Sequence, residues 1–496
     1  MANLDSTGRR GHWLAIAAGP LLALLLVLFA DLQPGQPAVT RMAAVALWMA
    51  IWWISEAVPL AVTALLPVAV FPLLSIMSGK QVATQYFNNV IFLFIGGFII
   101  ALAMQRWNLH RRIALGIIGL VGQSPARLLL GFMLATAFLS MWISNTATTM
   151  MMVPIAMAVI LRIDEGRQVA SGRSFPTGLL LGIAYAASIG GISTLVGTPP
   201  NLSFLRIHAI SFPDAPEISF TQWLLFAAPM CIVLLAAVWL FLFRLYGQRQ
   251  QAIDAGVFEA ERRQLGQVSR EEWGVLSVFV GTALLWLTRS DITVGTLQLR
   301  GWASPLGLDG MVDDGTVAIL MALLLFIIPS KRSDNGRLMG WEDTLQLPWG
   351  IVLLFGGGFA LASGFKESGL SEWCGGQLSA LSGVHPVVMV LAICLLITFL
   401  TELTSNTATT EMILPVLAAT AVAINVDPLL LMVPATISAS CAFMLPVATP
   451  PNAIIFGSGR ISMAEMARAG LLINLFAALL VTASVFLLGS LLGIGT

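Results

Sequence analysis

The chain has 496 residues, of which 57% are hydrophobic and 10% charged, with 25 basic and 25 acidic side chains. A soluble domain carries about 25% charged residues, so most of this surface is built to face lipid, and the balanced charge leaves no electrostatic footprint for a nucleic-acid partner. Cys231, Cys374, Cys394 and Cys441 show no CxxC spacing and the histidines are scattered, which excludes a disulfide framework and a zinc site; the cysteines read as packing residues.

A helix needs about 20 apolar residues to cross a bilayer. In chain order the apolar runs predict eleven spans, at 13–30, 41–56, 58–76, 86–108, 176–208, 221–244, 271–288, 314–329, 349–366, 429–458 and 466–493. The first follows Arg9 and Arg10, but it is longer than a signal-peptide core and has no small-residue cleavage site before Asp31, so it reads as a retained span. Trp52, Trp53 and Trp223 stand near predicted span ends and read as interface anchors. The runs at 176–208 and 429–458 are interrupted by Pro-Pro, which removes backbone donors and guarantees a break.

Two further apolar segments are too short for a double crossing. Between Arg127 and Arg162 lie 34 residues with Ser-Asn-Thr in the middle, and 386–426 has a polar centre from Thr401 to Glu411. Both predict re-entrant hairpins that dip into the membrane and return. With the N-terminus inside, 19 of the 25 basic residues fall on inner loops and six on outer ones, the positive-inside asymmetry. This places the N-terminus in the cytoplasm and the C-terminus outside, in an expected bacterial inner (cell) membrane. The polar stretch 247–270 reads as a solvated cytosolic connector.

The chain contains an internal repeat. Ser144-Asn145-Thr146-Ala147-Thr148-Thr149 recurs unchanged 261 residues later as Ser405-Asn406-Thr407-Ala408-Thr409-Thr410. The same spacing relates Phe94-Ile95-Gly96-Gly97-Phe98 to Phe355-Gly356-Gly357-Gly358-Phe359, and Pro154 to Pro415. Thr198-Pro199-Pro200-Asn201 returns as Thr449-Pro450-Pro451-Asn452 at a spacing of 251. Ordered matches at nearly one spacing mark a duplicated unit. Five predicted spans lie between the hairpins, an odd number, so the two copies enter from opposite faces as an inverted repeat.

These motifs suit an anion held beside a cation. A broken helix exposes N–H groups at one end, which favour anions, and carbonyls at the other, which favour cations. The Ser, Thr and Asn side chains of the hairpin tips add neutral oxygens and hydrogen-bond donors. As isolated residues they would read as glue between helices; two identical copies on two hairpin tips, beside two matching breaks, favour a site. No Lys or Arg lies in either motif pair. A dianion entering a negative-inside cell therefore works against about 4.6 kcal/mol at 100 mV, which two co-transported cations cancel. Glu402 and Glu411 flank the second tip, with Glu411 expected near a helix start, and both read as structural, as does Glu56 beside Pro59. Gly356-Gly357-Gly358 lacks the Lys and strand context of a phosphate loop and reads as close helix packing. No paired histidines, Ser–His or Ser–Lys set, or paired carboxylates support an enzyme.

With both tips and both breaks in place, the chain resembles the divalent anion–sodium symporter family over roughly residues 40–490, and 440–455 looks like the family signature with Ile455 where that signature ends in Val. The resemblance implies an all-α polytopic fold of about 11 transmembrane helices plus two hairpins, working as a homodimeric elevator. It implies scaffold segments at 1–126 and 271–384, and transport segments at 127–246 and 385–496. It implies a first sodium site at Ser140, Ser144, Asn145 and the Gly197 carbonyl, and a second at Thr401, Thr404, Ser405, Asn406 and the Ala448 carbonyl. Substrate carboxylates would meet Asn145, Thr146, Thr198, Asn406, Thr407, Thr449 and Pro450. Na+ would be the coupling ion, with no organic cofactor, and the partners would be a small dianion, the lipid bilayer and a second copy of the chain. The short inner loops tilt the substrate toward a C4-dicarboxylate such as succinate, malate or fumarate. Citrate, sulfate and sodium-independent dicarboxylate exchange are the alternatives.

Overall fold

A computed structural model describes residues 6–122, 124–164, 175–247, 263–294 and 297–495. Most of the expected connector, 248–262, lies outside the described residues, as do Arg167, Arg173, Arg249 and Arg262. Among the described residues the architecture is helical apart from one short antiparallel ladder, Ile292–Val294 with Leu297–Leu299, and an isolated bridge between Pro329 and Arg337. Among the described residues seven helices are long and apolar enough to cross a membrane.

Helix starts follow from short polar residues placed ahead of apolar runs. Ser219 with Gln222, Ser269 with Glu272 and Ser462 with Glu465 form reciprocal caps that open Phe220–Leu242, Arg270–Leu287 and Met463–Leu488. Each such pair satisfies backbone donors that a helix cannot satisfy itself. Proline does the converse. The expected span 58–76 is not one helix but two short ones, Leu60–Thr63 and Leu66–Leu73, because Pro67, in the first turn of the second, offers no N–H to the turn before it.

Gly79–Tyr86 was absent from the sequence reading, and so were two helices that the repeat shares. Leu109–Val121 follows a left-handed turn at Asn108 and carries Arg111 and Arg112 in its first turn. Leu370–Leu378 follows Gly369, which also has positive φ. Both are short and interrupted by polar residues, so an apolar-run criterion passes over them. They complete the repeat: a long helix, a short helix, a hairpin, a broken helix and a long helix occur in this order from Asn89 to Leu242 and again from Trp349 to Leu488.

The hairpins are Pro125–Ser140 with Asn145–Asp164, and Pro386–Thr401 with Asn406–Ala423. Each entering arm has 16 residues, about 24 Å at 1.5 Å per residue and short of the roughly 30 Å hydrocarbon core. The broken helices are Phe175–Ile192 with Pro199–Ser211, and Pro428–Ala439 with Pro450–Phe456. Every residue of Phe175–Ile192 is buried, and it packs on both arms of the first hairpin, on Phe220–Leu242 and on Pro450–Phe456. The repeats also cross. The return arm Asn406–Ala423 packs on Pro199–Ser211, and the return arm Asn145–Asp164 packs on Pro450–Phe456.

Two expectations about aromatic and glycine residues resolve differently. Trp53 and Trp223 are fully buried, not interface anchors; their indoles donate to Leu60 O, at the start of Leu60–Thr63, and to Ile192 O, at the end of Phe175–Ile192. A buried indole N–H needs an acceptor, and these helix-end carbonyls supply it. Trp52 is half-buried and donates to Ile16 O. The glycine trio is close packing: a methyl group on Gly356, Gly357 or Gly358 would strike Tyr86, Ala64 or Glu411.

Candidate functional site

Helix-favouring sequence on both sides of Ser144 and Ser405 forces each hairpin to turn where these residues stand. Asn145 and Asn406 are the first residues of the return arms, and Pro199 and Pro450 open the far halves of the broken helices. All four helix starts line one cavity of about 770 Å³.

Of the fourteen expected site residues, twelve line this cavity: Ser144, Asn145, Thr146, Gly197, Thr198, Thr404, Ser405, Asn406, Thr407, Ala448, Thr449 and Pro450. The other two, Ser140 and Thr401, lie fully buried just behind it. Ser140 Oγ donates to Asn145 Oδ1 at 2.6 Å, and Thr401 Oγ1 donates to Asn406 Oδ1 at 2.7 Å. Thr401 Oγ1 also lies 2.9 Å from Ala439 O, at the end of the near half of its broken helix.

The two copies are not identical in detail. Thr449 caps its helix by accepting from Asn452 N, whereas Thr198 makes no such bond. The Thr404 hydroxyl is engaged within its own hairpin, at 2.9 Å from Leu400 O and 2.6 Å from Thr409 Oγ1. Near Asn145 the backbone closes tightly. A methyl on Gly191 would stand 2.5 Å from Asn145 Oδ1, and one on Gly197 would stand 2.5 Å from Gly191 O. Only glycine lets these carbonyls and the carboxamide approach one another.

Several residues of the site escaped the sequence reading. Asn201 Nδ2 donates to the carbonyls of Gly191, Ile192 and Thr194, and Asn452 Nδ2 donates to those of Ala442 and Leu445. These two asparagines staple the unwound backbone at 193–198 and 440–449. Their position at the end of each repeated Thr-Pro-Pro-Asn was the available clue. Glu402 accepts from the backbone N–H groups of Phe443, Met444 and Leu445 and from Asn474 Nδ2, all at 2.7–2.9 Å. Its structural reading is correct: it anchors the second break. Glu411 is not near a helix start. It is the sixth residue of its arm, fully buried, and accepts from Ser203 Oγ. Glu56 caps Pro37–Ser55 in the left-handed region and lines the cavity, which its loop position alone did not disclose. Phe94, Phe98, Ile351 and Leu354 supply apolar wall.

The electrostatic content of the lining is plain. Among the described residues it holds no Lys or Arg, and Glu56 is its one charged residue. Positive potential comes from backbone. The helices beginning at Asn145, Pro199 and Asn406 each run 13 residues or more, and each start carries about half a positive charge.

Comparison with known proteins follows the same outline. In a curated set, the chain is 45% identical over 484 residues to the sodium-dependent dicarboxylate transporter SdcS of Staphylococcus aureus strain NCTC 8325, covering 96% of this chain and 91% of that one. The SdcS of the bovine strain RF122 is 44% identical over the same length. Among solved structures, the YdaH transporter of Alcanivorax borkumensis aligns with a TM-score of 0.57 at 17% identity over 83% of this chain and 87% of its own. MtrF of Neisseria gonorrhoeae aligns with a TM-score of 0.56 at 14% identity over 94% and 96%. These two establish the fold alone, an integral membrane one. The family described as the sodium:sulfate symporter transmembrane region matches residues 14–494, and the chain belongs to it.

Proposed function

We propose that this protein couples inward movement of sodium to uptake of a C4-dicarboxylate such as succinate, malate or fumarate. The observation that carries this reading is a cavity lined by two copies of Ser-Asn-Thr and two of Thr-Pro-Pro, with no basic side chain among the described residues. Three helix starts, each contributing up to about 2 kcal/mol in a partly buried setting, offer roughly 6 kcal/mol to an anion. Desolvating a carboxylate costs several kcal/mol per charge, and the membrane potential adds about 4.6 kcal/mol for a dianion at 100 mV. The backbone alone does not hold a dianion, and cations bound beside it do.

In this reading the first sodium sits among Ser140, Ser144, Asn145 and the Gly197 carbonyl. The second sits among Thr401, Thr404, Ser405, Asn406 and the Ala448 carbonyl, with Thr404 contributing after its present bonds rearrange. The substrate carboxylates meet Asn145, Thr146, Thr198, Asn406, Thr407, Thr449 and the backbone at Pro450. The short entering arms of the hairpins support a re-entrant reading, and the odd number of predicted spans between the hairpins supports an inverted repeat. Segments 127–246 and 385–496 then move as a transport unit against a scaffold of 1–126 and 271–384, in a homodimer with the N-terminus cytoplasmic and the C-terminus outside.

The test is uptake of labelled succinate into proteoliposomes under a sodium gradient. Replacing sodium with choline is expected to abolish uptake. Uptake that persists in choline and depends on preloaded dicarboxylate would assign exchange instead. Competition by malate and fumarate, but weakly by citrate and sulfate, identifies the C4 class.

A further inference from the structure

Glu411 stands outside the cavity lining yet joins its two halves. It is fully buried on the return arm that begins at Asn406, and its Oε1 accepts from Ser203 Oγ. Ser203 lies on the helix that begins at Pro199, immediately after Thr198. One hydrogen bond thus ties the element carrying Asn406 and Thr407 to the element following Thr198, across the two repeats.

The surroundings show that the carboxyl acts here through that bond. No ion pair reaches Glu411 among the described residues. Among the described residues its Oε2 has no hydrogen-bond partner, and it lies against Gly358, where a methyl would approach to 1.8 Å. A buried carboxyl in this state is costly to keep, and an ionisable group at membrane depth is by default functional.

The repeat spacing places Met150 at the counterpart of Glu411 and Ile454 at that of Ser203. Met150 is exposed rather than buried, so the carboxyl–hydroxyl bond has no equivalent at these positions of the other copy.

We propose that Glu411 is a positioning residue whose bond to Ser203 sets the separation between the two halves of the substrate site. This rests on the transport reading above, since it assigns Thr198, Asn406 and Thr407 to the site. The full-length chain would be assayed for sodium-driven uptake of labelled succinate as wild type, Ser203→Ala, Glu411→Gln and Glu411→Leu. Ser203→Ala and Glu411→Leu are expected to raise KM about five- to tenfold, as loss of one buried hydrogen bond would, with Vmax changed less than about twofold. Glu411→Gln should keep the wild-type KM, because the amide oxygen accepts the same hydroxyl. If Glu411→Gln is as impaired as Glu411→Leu while Ser203→Ala is normal, charge rather than the bond matters and the proposal fails. Wild-type KM in all three also overturns it. If Glu411→Leu does not assemble, the Ser203→Ala and Glu411→Gln pair decides. The rise in Tm with added sodium reads the same ordering without substrate, so a wild type lacking succinate uptake would sink the transport reading while still testing the lock.

Discussion

Ser140 Oγ donates a 2.6 Å hydrogen bond to Asn145 Oδ1 across the first hairpin turn. Thr401 repeats it to Asn406 at 2.7 Å in the second hairpin. The hydroxyl anchors the carboxamide oxygen at the mouth of a turn, and both oxygens keep lone pairs free for a hard cation.

Ser140→Ala removes that anchor without touching the cavity wall. The sodium concentration for half-maximal uptake should rise about tenfold, the equivalent of one hydrogen bond. Asn145→Ala and Asn406→Ala should abolish uptake with assembly intact. A sodium titration of Ser140→Ala that overlays wild type would remove Ser140 and its bond to Asn145 from the first cation site.

The asparagine staples predict paired losses of stability. Asn201→Ala removes a donor from Gly191, Ile192 and Thr194 O, of which Ile192 O keeps Trp223 Nε1 and Thr194 O keeps Gly197 N. Asn452→Ala removes a donor from Ala442 and Leu445 O, of which Leu445 O keeps Ala448 N. Each variant thus strands one buried carbonyl, at about 1–3 kcal/mol, and both should lower Tm in detergent by a similar amount. An unchanged Tm in either variant would mean that the corresponding break holds its shape without the staple.

Gly191→Ala should be inactive. Its methyl would stand 2.5 Å from Asn145 Oδ1, closer than van der Waals contact permits, so the carboxamide must leave its place. Gly119→Ala is the matched control: it lies in a helix with open space around it, and the change should stabilise by about 0.5–1 kcal/mol with normal uptake. Wild-type uptake by Gly191→Ala would show that the tight approach is dispensable.

Glu402→Ala leaves three backbone N–H groups and Asn474 without their acceptor. Hydrogen bonds to a charged group contribute about 1.5–3 kcal/mol each, so a loss of about 3 kcal/mol or more is expected. Glu402→Gln should fall between it and wild type. Protease accessibility of 440–449 would report the change directly, and equal resistance in Glu402→Ala would remove its anchoring role.

Much of this protein was legible before any coordinates. Ser-Asn-Thr and Thr-Pro-Pro-Asn are polar and helix-breaking in otherwise apolar runs, and they occur twice. Apolar length reported most of the long helices for the same reason that a bilayer demands them. It failed at 58–76, where Pro67 divides the run, and at Leu109–Val121 and Leu370–Leu378, which are too short and polar to register.

The sequence by itself marked where binding chemistry could lie, because neutral oxygens beside obligatory helix breaks are a local property of the chain, and the family resemblance named the fourteen expected site positions. The convergence of twelve of them on one cavity was decided only by the tertiary structure, as were the crossing of each return arm onto the other repeat and the burial of Trp53, Trp223 and Glu411. Contacts between residues about 200 positions apart depend on which helix faces meet, and side-chain spacing along one helix says nothing about the face opposite.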